Sequence, residues 1–179
     1  MKRIVLALTF LLATSSAAFA QFTPSTENLR GVTGVRLMVM LGHYPHRMDE
    51  AQKPEILKLV EADAAAKLEE AGIPFYTLPS NPMRNANAIL VITVTMNEGK
   101  ELMDNETEVK LLQSVRLSRD PSIQFEASTW SREGIVHVPK PRDAIQRQVA
   151  GEIDQFIRDY FSVNPKPSTG SSSSKVIRP

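Results

Sequence analysis

The stretch Ala88-Ile89-Leu90-Val91-Ile92-Thr93-Val94-Thr95-Met96 decides the fold. Its apolar residues run almost unbroken from 89 to 92. A strand of that kind needs cover on both faces, which places it at the centre of a sheet. Asn97-Glu98-Gly99-Lys100 then reads as a turn or a longer hairpin loop. Val109 to Ser118 alternates, with Val109, Leu111, Val115 and Leu117 on one face and Lys110, Ser114 and Arg116 on the other. Asp120-Pro121-Ser122 marks a turn, and Ile123 to Trp130 reads as a further strand. Alternation sets Phe125, Ala127 and Thr129 opposite Gln124, Glu126, Ser128 and Trp130. Glu133-Gly134 breaks the pattern before Ile135 to Val138.

Toward the amino terminus, Ile73 to Leu78 is a short strand and Pro54 to Ala71 a helix. Ile56, Leu57, Val60, Ala64, Leu68 and Ala71 recur at three- and four-residue spacings and form one apolar stripe. Pro54 suits the first turn, and Gly72 is placed as a carboxy-terminal cap. Val32 to Leu41 alternates strictly, with Arg36, Met38 and Met40 opposite Val35, Leu37, Val39 and Leu41. Gly42 ends this strand, and His43-Tyr44-Pro45-His46 is a loop. At the other end, Pro141 to Phe161 is a second long helix whose stripe is Ile145, Val149, Ile153, Phe156 and Tyr160, widened by Ile157. Asp154 and Arg158 are spaced to support its wet face.

The element order is β-α-β-β-β-β-α. It predicts an α+β two-layer sandwich, a four- to five-stranded and mostly antiparallel sheet with both helices on one face. The other face is expected to be partly open and lined by Met38, Met40 and Trp130. The domain spans 32–163. A flexible lead-in at 21–31 precedes it, and a Ser/Pro-rich disordered tail at 164–179 follows, with serines at 171–174.

Met1-Lys2-Arg3 is a basic start, Ile4 to Ala13 an apolar run, and Ala18-Phe19-Ala20 a small-residue cleavage site. Together they predict a secretory signal at 1–20, cleaved before Gln21. An apolar run of roughly ten residues is too short for a spanning helix, which needs about 20. No cysteine is present, which removes disulfides, thiolate metal sites, a cysteine nucleophile and a lipidated cysteine. The expected product is exported, periplasmic or secreted, and carries no stable membrane anchor. The net charge is +1, with acids and bases interspersed rather than gathered in a basic stripe, so no nucleic-acid partner is expected.

The carboxy-terminal helix runs through Ile153-Asp154-Gln155-Phe156-Ile157-Arg158-Asp159-Tyr160. With the element order and the export signal, it resembles small exported bacterial α+β proteins and the domains of periplasmic and outer-membrane assembly proteins. Among these are the lipopolysaccharide-transport lipoprotein and the amino-terminal domain of the Tol-system translocation protein. The resemblance spans Val32 to Phe161 and implies a fold, not a chemistry. The lipid anchor of the lipoproteins does not carry over, because its cysteine is missing.

Several residues have types that could support chemistry. His43 and His46, with Asp49 and Glu50 nearby, have ligand types and spacing compatible with a divalent metal. A solvated loop with two ordinary histidines is the simpler reading. His137, in Val136-His137-Val138, would need Ser128 or Ser131 and an orienting carboxylate to act in nucleophilic catalysis, and no nucleophile elbow is present. Glu126 with Glu133, or Asp104 with Glu106, could pair as acid and base. Gly31 and Gly34 lack the lysine pattern of a phosphate loop. No cofactor is expected.

The leading expectation is therefore a non-enzymatic module of the bacterial cell envelope that binds a protein or peptide partner through the open sheet face or an edge strand. The binding candidates are Trp130, Met38 and Met40, with Trp130 the strongest anchor type, although core or edge packing is the simpler reading of Trp130, and both methionines could equally be buried under the helices if the sheet faces are reversed. The alternatives are a small hydrolase or metal-dependent enzyme using His43/His46 or His137, and a small-ligand carrier.

Overall fold

Alternation at the start of the domain produces β1 (Val35–Leu41), and the striped segment after it forms α1 (Gln52–Ala71). The chain continues through a short β2 (Phe75–Tyr76), β3 (Ala88–Glu98), β4 (Met103–Leu117), β5 (Asp120–Val138) and α2 (Pro141–Val163). The computed structural model describes residues 25–44, 52–77, 88–98, 103–138 and 141–166, with backbone alone at 98, 103–104, 136–138 and 141. The expected signal at 1–20, residues 21–24 of the expected lead-in, His46 and residues 167–179 of the expected tail lie outside the described residues.

The five strands form one mixed sheet in the order β2-β1-β3-β4-β5. β1 runs parallel to both β2 and β3, whereas the longer β3–β4 and β4–β5 pairings are antiparallel. β3 is central, as its continuous apolar character requires. Leu37, Leu90, Leu111 and Trp130 stand in register as one row across the sheet, and all four are buried. Ile56, Val60, Ala64 and Leu68 of α1 share this core with Ile145, Val149, Ile153 and Phe156 of α2. Both helices therefore lie on the face that carries that row. Burying one large apolar side chain contributes about 1.5–3 kcal/mol, so this layer is the main source of stability.

Gly72 closes α1 as its position suggests. Its φ is +76°, its N–H reaches Glu69 O at 2.9 Å, and Ile73 N–H reaches Leu68 O at 2.9 Å. This bond pair is a Schellman cap, and Ile73 and Leu68 are both buried beside it. The helices are also bridged: Gln146 Nε2 donates to Asp63 Oδ2 at 2.8 Å, and Lys67 Nζ to Asp154 Oδ1 at 2.6 Å. Asp154 thus serves the other helix rather than Arg158, which donates to Gln155 instead.

The lead-in is built into the domain from Ser25 onward. Thr26–Leu29 form a 3-10 turn capped by the Ser25 side chain, and Leu29 is fully buried. Asn28 Nδ2 donates to Thr129 O, Tyr160 Oη to Val32 O, and Asn164 Nδ2 to Leu29 O. The expected mobile lead-in is thus ordered over 25–31, because an apolar residue there completes the core between β5 and the end of α2.

β4 and β5 are longer than their apolar patterns. Residues 103–108, expected as loop, belong to β4, and β5 passes through Gly134 without a break. At the other end the pairing with β3 stops at Gln113, and Ser114–Leu117 with Asp120–Glu126 continue as a two-stranded arm. Val115 and Phe125 lie opposite each other on that arm.

Candidate functional site

Trp130 does not lie with Met38 and Met40. It is 1% exposed, packs edge-on against Phe156 at a centroid distance of 5.3 Å, and donates from Nε1 to Asp159 Oδ2 at 3.0 Å. The expectation that it lines the open face is corrected by a register shift between Leu111 and Leu112. Trp130 is opposite Leu111, but Ser128 is opposite Leu112, so Thr129 has no partner in the ladder. Such a bulge reverses the facing of every residue beyond it. Phe125 and Ala127 therefore share the helix-side face with Trp130.

Met38 stands in register with Val91, Lys110 and Ser131 on the opposite face, and Met40 with Thr93, Glu108 and Glu133. Met40 is 41% exposed and Met38 half-buried. Lys110 Nζ meets Glu108 Oε2 at 2.7 Å on the same face. No described element covers these rows. This face holds both methionines, but its centre is crossed by a charged pair rather than a continuous apolar patch.

The other candidates do not converge. His43 is exposed just beyond β1, while His46, Asp49 and Glu50 lie outside the described residues. Among the described residues no group of three or more histidine, aspartate or glutamate side chains is gathered to hold a metal. His137 is on β5 opposite Asp104, with only the backbone of both described. Ser128 Oγ turns to Trp130 O at 3.4 Å. Glu126 faces Ser114 on the arm and Glu133 faces Glu108 in the sheet, so those two carboxylates do not meet.

A polar cluster that the sequence reading did not single out lies inside the domain. Glu152 is only 6% exposed on the sheet-facing side of α2. Its Oε1 accepts from Thr107 Oγ1 at 2.6 Å and from Gln148 Nε2 at 3.0 Å. Its Oε2 is buried and has no hydrogen-bond partner among the described residues. Burial pushes its pKa up and the nearby Glu133 charge adds to this, while the two hydrogen bonds pull it down. Thr107 and Asn105 are buried on the same side of β4. These polar interior positions are why the hydrophobic pattern of β4 fades before its strand does. Gly134, opposite Thr107, lets α2 approach: a Cβ there would sit 2.6 Å from Glu152 Oε1 and would overlap Gln148.

Outside this cluster is a cleft of about 250 Å³ between β5 and α2. It is lined by Arg132 and Glu133 from β5 and by Arg147, Gln148, Gly151, Glu152, Gln155 and Arg158 from α2. The only hint in the sequence was the i, i+4 pair Gln148/Glu152 on a face that otherwise carries the apolar stripe.

The geometry defines an α+β two-layer sandwich with one helix-covered sheet face and one that no described element covers. No family model matches the chain, and no curated protein matches it. Among solved structures it is similar to the PelC dodecamer from Paraburkholderia phytofirmans, at 18% identity over 72% of this chain and 89% of that one, with a TM-score of 0.41. A DUF330 protein from Xanthomonas campestris matches at 14% identity over 75% and 86%, with a TM-score of 0.36. A minor lipoprotein from Acinetobacter baumannii matches at 13% identity over 72% and 94%, with a TM-score of 0.23. Among the described residues no helix is long and apolar enough to cross a membrane.

Proposed function

We propose that this chain is a non-enzymatic, exported module of the bacterial cell envelope that binds a protein partner along β5. The observation that carries this reading is the strand itself. β5 spans Asp120–Val138 at the edge of the sheet, and its outer side pairs with no described strand. It displays Ile123, Phe125 and Ile135 at 46%, 45% and 65% exposure. A long edge with exposed apolar side chains is a template for another extended chain, and proteins normally shorten, charge or cover such edges. Strand addition supplies main-chain hydrogen bonds for affinity, and the exposed side chains supply selectivity. Met38 and Met40 add a second, adaptable surface on the uncovered face. Export rests on the basic, apolar and Ala18-Phe19-Ala20 segments of the first 20 residues.

The test is site-specific photo-crosslinking from positions 125 and 135 in intact cells, alongside co-purification of the wild type and of Phe125→Lys and Ile135→Lys. A discrete crosslinked protein that the lysine variants no longer retain is the expected result. A wild-type chain that repeatedly crosslinks to nothing, or variants that keep the same partner, overturns the proposal.

A further inference from the structure

Three arginines line the cleft between β5 and α2, with a glycine, Gly151, among them. Arg147 and Arg158 come from α2 and Arg132 from β5, and Gly151 has open space above its Cα. These arginines are poorly neutralised. Arg132 reaches Asp159 only at 4.0 Å and is half exposed. The Asp159 carboxylate is already occupied by Trp130 Nε1 and Gln155 Nε2. Arg158 donates to the neutral Gln155 side chain, and Arg147 makes no hydrogen bond or ion pair with any described residue. Two carboxylates, Glu133 and Glu152, line the same cleft.

We propose that this cleft is an oxyanion-binding site, in which Arg132, Arg147 and Arg158 pair with a carboxylate, sulfate or phosphate group seated over Gly151, and Glu152 lies at its buried edge. Guanidinium forks match such groups bidentately. Gln148 and Gln155 add neutral amide groups at the same place. The cleft is below the roughly 300–1,000 Å³ of sites that enclose a whole small molecule, so it fits one anionic group of a larger ligand.

Glu152 makes the site proton-sensitive. Thr107 of β4 and Gln148 of α2 hydrogen-bond to it, the Glu133 charge of β5 acts on it, Asn105 is buried on the same side of β4, and Arg132, Arg147, Gln155 and Arg158 line the cleft it borders. In its protonated form Glu152 adds no negative charge beside the anion. When ionised it competes with the ligand for the arginines.

Calorimetric titration of the full chain with sodium sulfate and, separately, with sodium glucuronate tests this, at a series of pH values from about 4.5 to about 8 over which neither probe changes charge. Saturable binding that weakens as the pH rises is expected for at least one probe. Sulfate alone would mark a tetrahedral oxyanion site and glucuronate alone a planar one. Arg147→Ala should weaken binding about tenfold, the size of one charge-assisted hydrogen bond. Glu152→Gln should bind at about pH 8 as the wild type does at the acid end of the series, since its amide cannot ionise. The absence of saturable binding to both probes, or unchanged affinity in the Arg132→Ala/Arg147→Ala double variant, overturns the proposal.

Discussion

Thr107 Oγ1 donates a 2.6 Å hydrogen bond to Glu152 Oε1, joining β4 to the middle of α2 inside the domain. Because burial outweighs the hydrogen bonds, the folded state holds the Glu152 proton to higher pH than the unfolded chain does. A carboxyl shifted in this direction costs stability as pH rises from the ordinary glutamate value of about 4.3 through its raised folded value, and nothing further above that. Glu152→Gln removes the ionisation and keeps an oxygen for Thr107. Its unfolding midpoint should exceed that of the wild type at about pH 8, with the gap closing toward about pH 4. Paired thermal melts followed by circular dichroism check this. A gap that widens toward acid would sink the assignment.

Gly134 of β5 packs against α2 with no room for a side chain. Gly134→Ala should cost about 1–3 kcal/mol in urea unfolding, the range for forcing extra volume into a packed interior. The added methyl meets the end of the Gln148 side chain first and Glu152 Oε1 next. Removing Gln148 should relieve part of the strain, so Gly134→Ala/Gln148→Ala should cost less than the sum of the single changes. Strict additivity would show that the close approach at Gly134 is not what limits this packing.

The helices and their caps were legible because each has one apolar stripe ending at a clear signal. Gly72 after Ala71, and the Ile145-to-Tyr160 spacing, give α1 and α2 nearly to the residue. The central place of β3 followed from its unbroken apolar run. The course of β5 was not legible, for two physical reasons. The unpaired Thr129 reverses the facing of the strand, so simple alternation put Trp130 on the wrong side. Gly134 reads as a breaker, yet here it makes room for a buried carboxylate. The Glu152 cluster was missed for the related reason that its strand positions, Asn105 and Thr107, are polar and inward-facing. Hydrophobic periodicity has no means of marking a polar interior.

Trp130 and Asp159 form the one described hydrogen bond between an indole and α2. Trp130→Phe should cost about 1–3 kcal/mol, from the lost bond and the smaller ring against Phe156. In an Asp159→Ala background the same change should cost about 1 kcal/mol less, because the bond is already gone. Denaturant unfolding by circular dichroism measures both. Partner retention should not change with Trp130→Phe, since the indole is inside the domain; loss of the partner by a stably folded variant would restore Trp130 as a binding residue.

Asn164 ties the end of α2 to the segment that enters the domain. Its Nδ2 donates to Leu29 O at 2.7 Å and to Tyr160 O at 3.1 Å, and its Oδ1 accepts from Gly31 N at 2.9 Å. Asn164→Ala removes all three bonds and should cost about 1–2 kcal/mol. The Gly31 amide should then exchange with solvent much faster than amides in β3, because only the local opening has become easier. Asn164→Asp separates the two halves of this contact. Its carboxylate still accepts from Gly31 but cannot donate, and it faces the Leu29 and Tyr160 carbonyls. The Asp variant should therefore keep Gly31 protected while losing at least as much stability as the Ala variant, an effect that fades as acid protonates the new carboxyl. Equal exchange at Gly31 in both variants would show that Leu29 burial alone holds the segment in place.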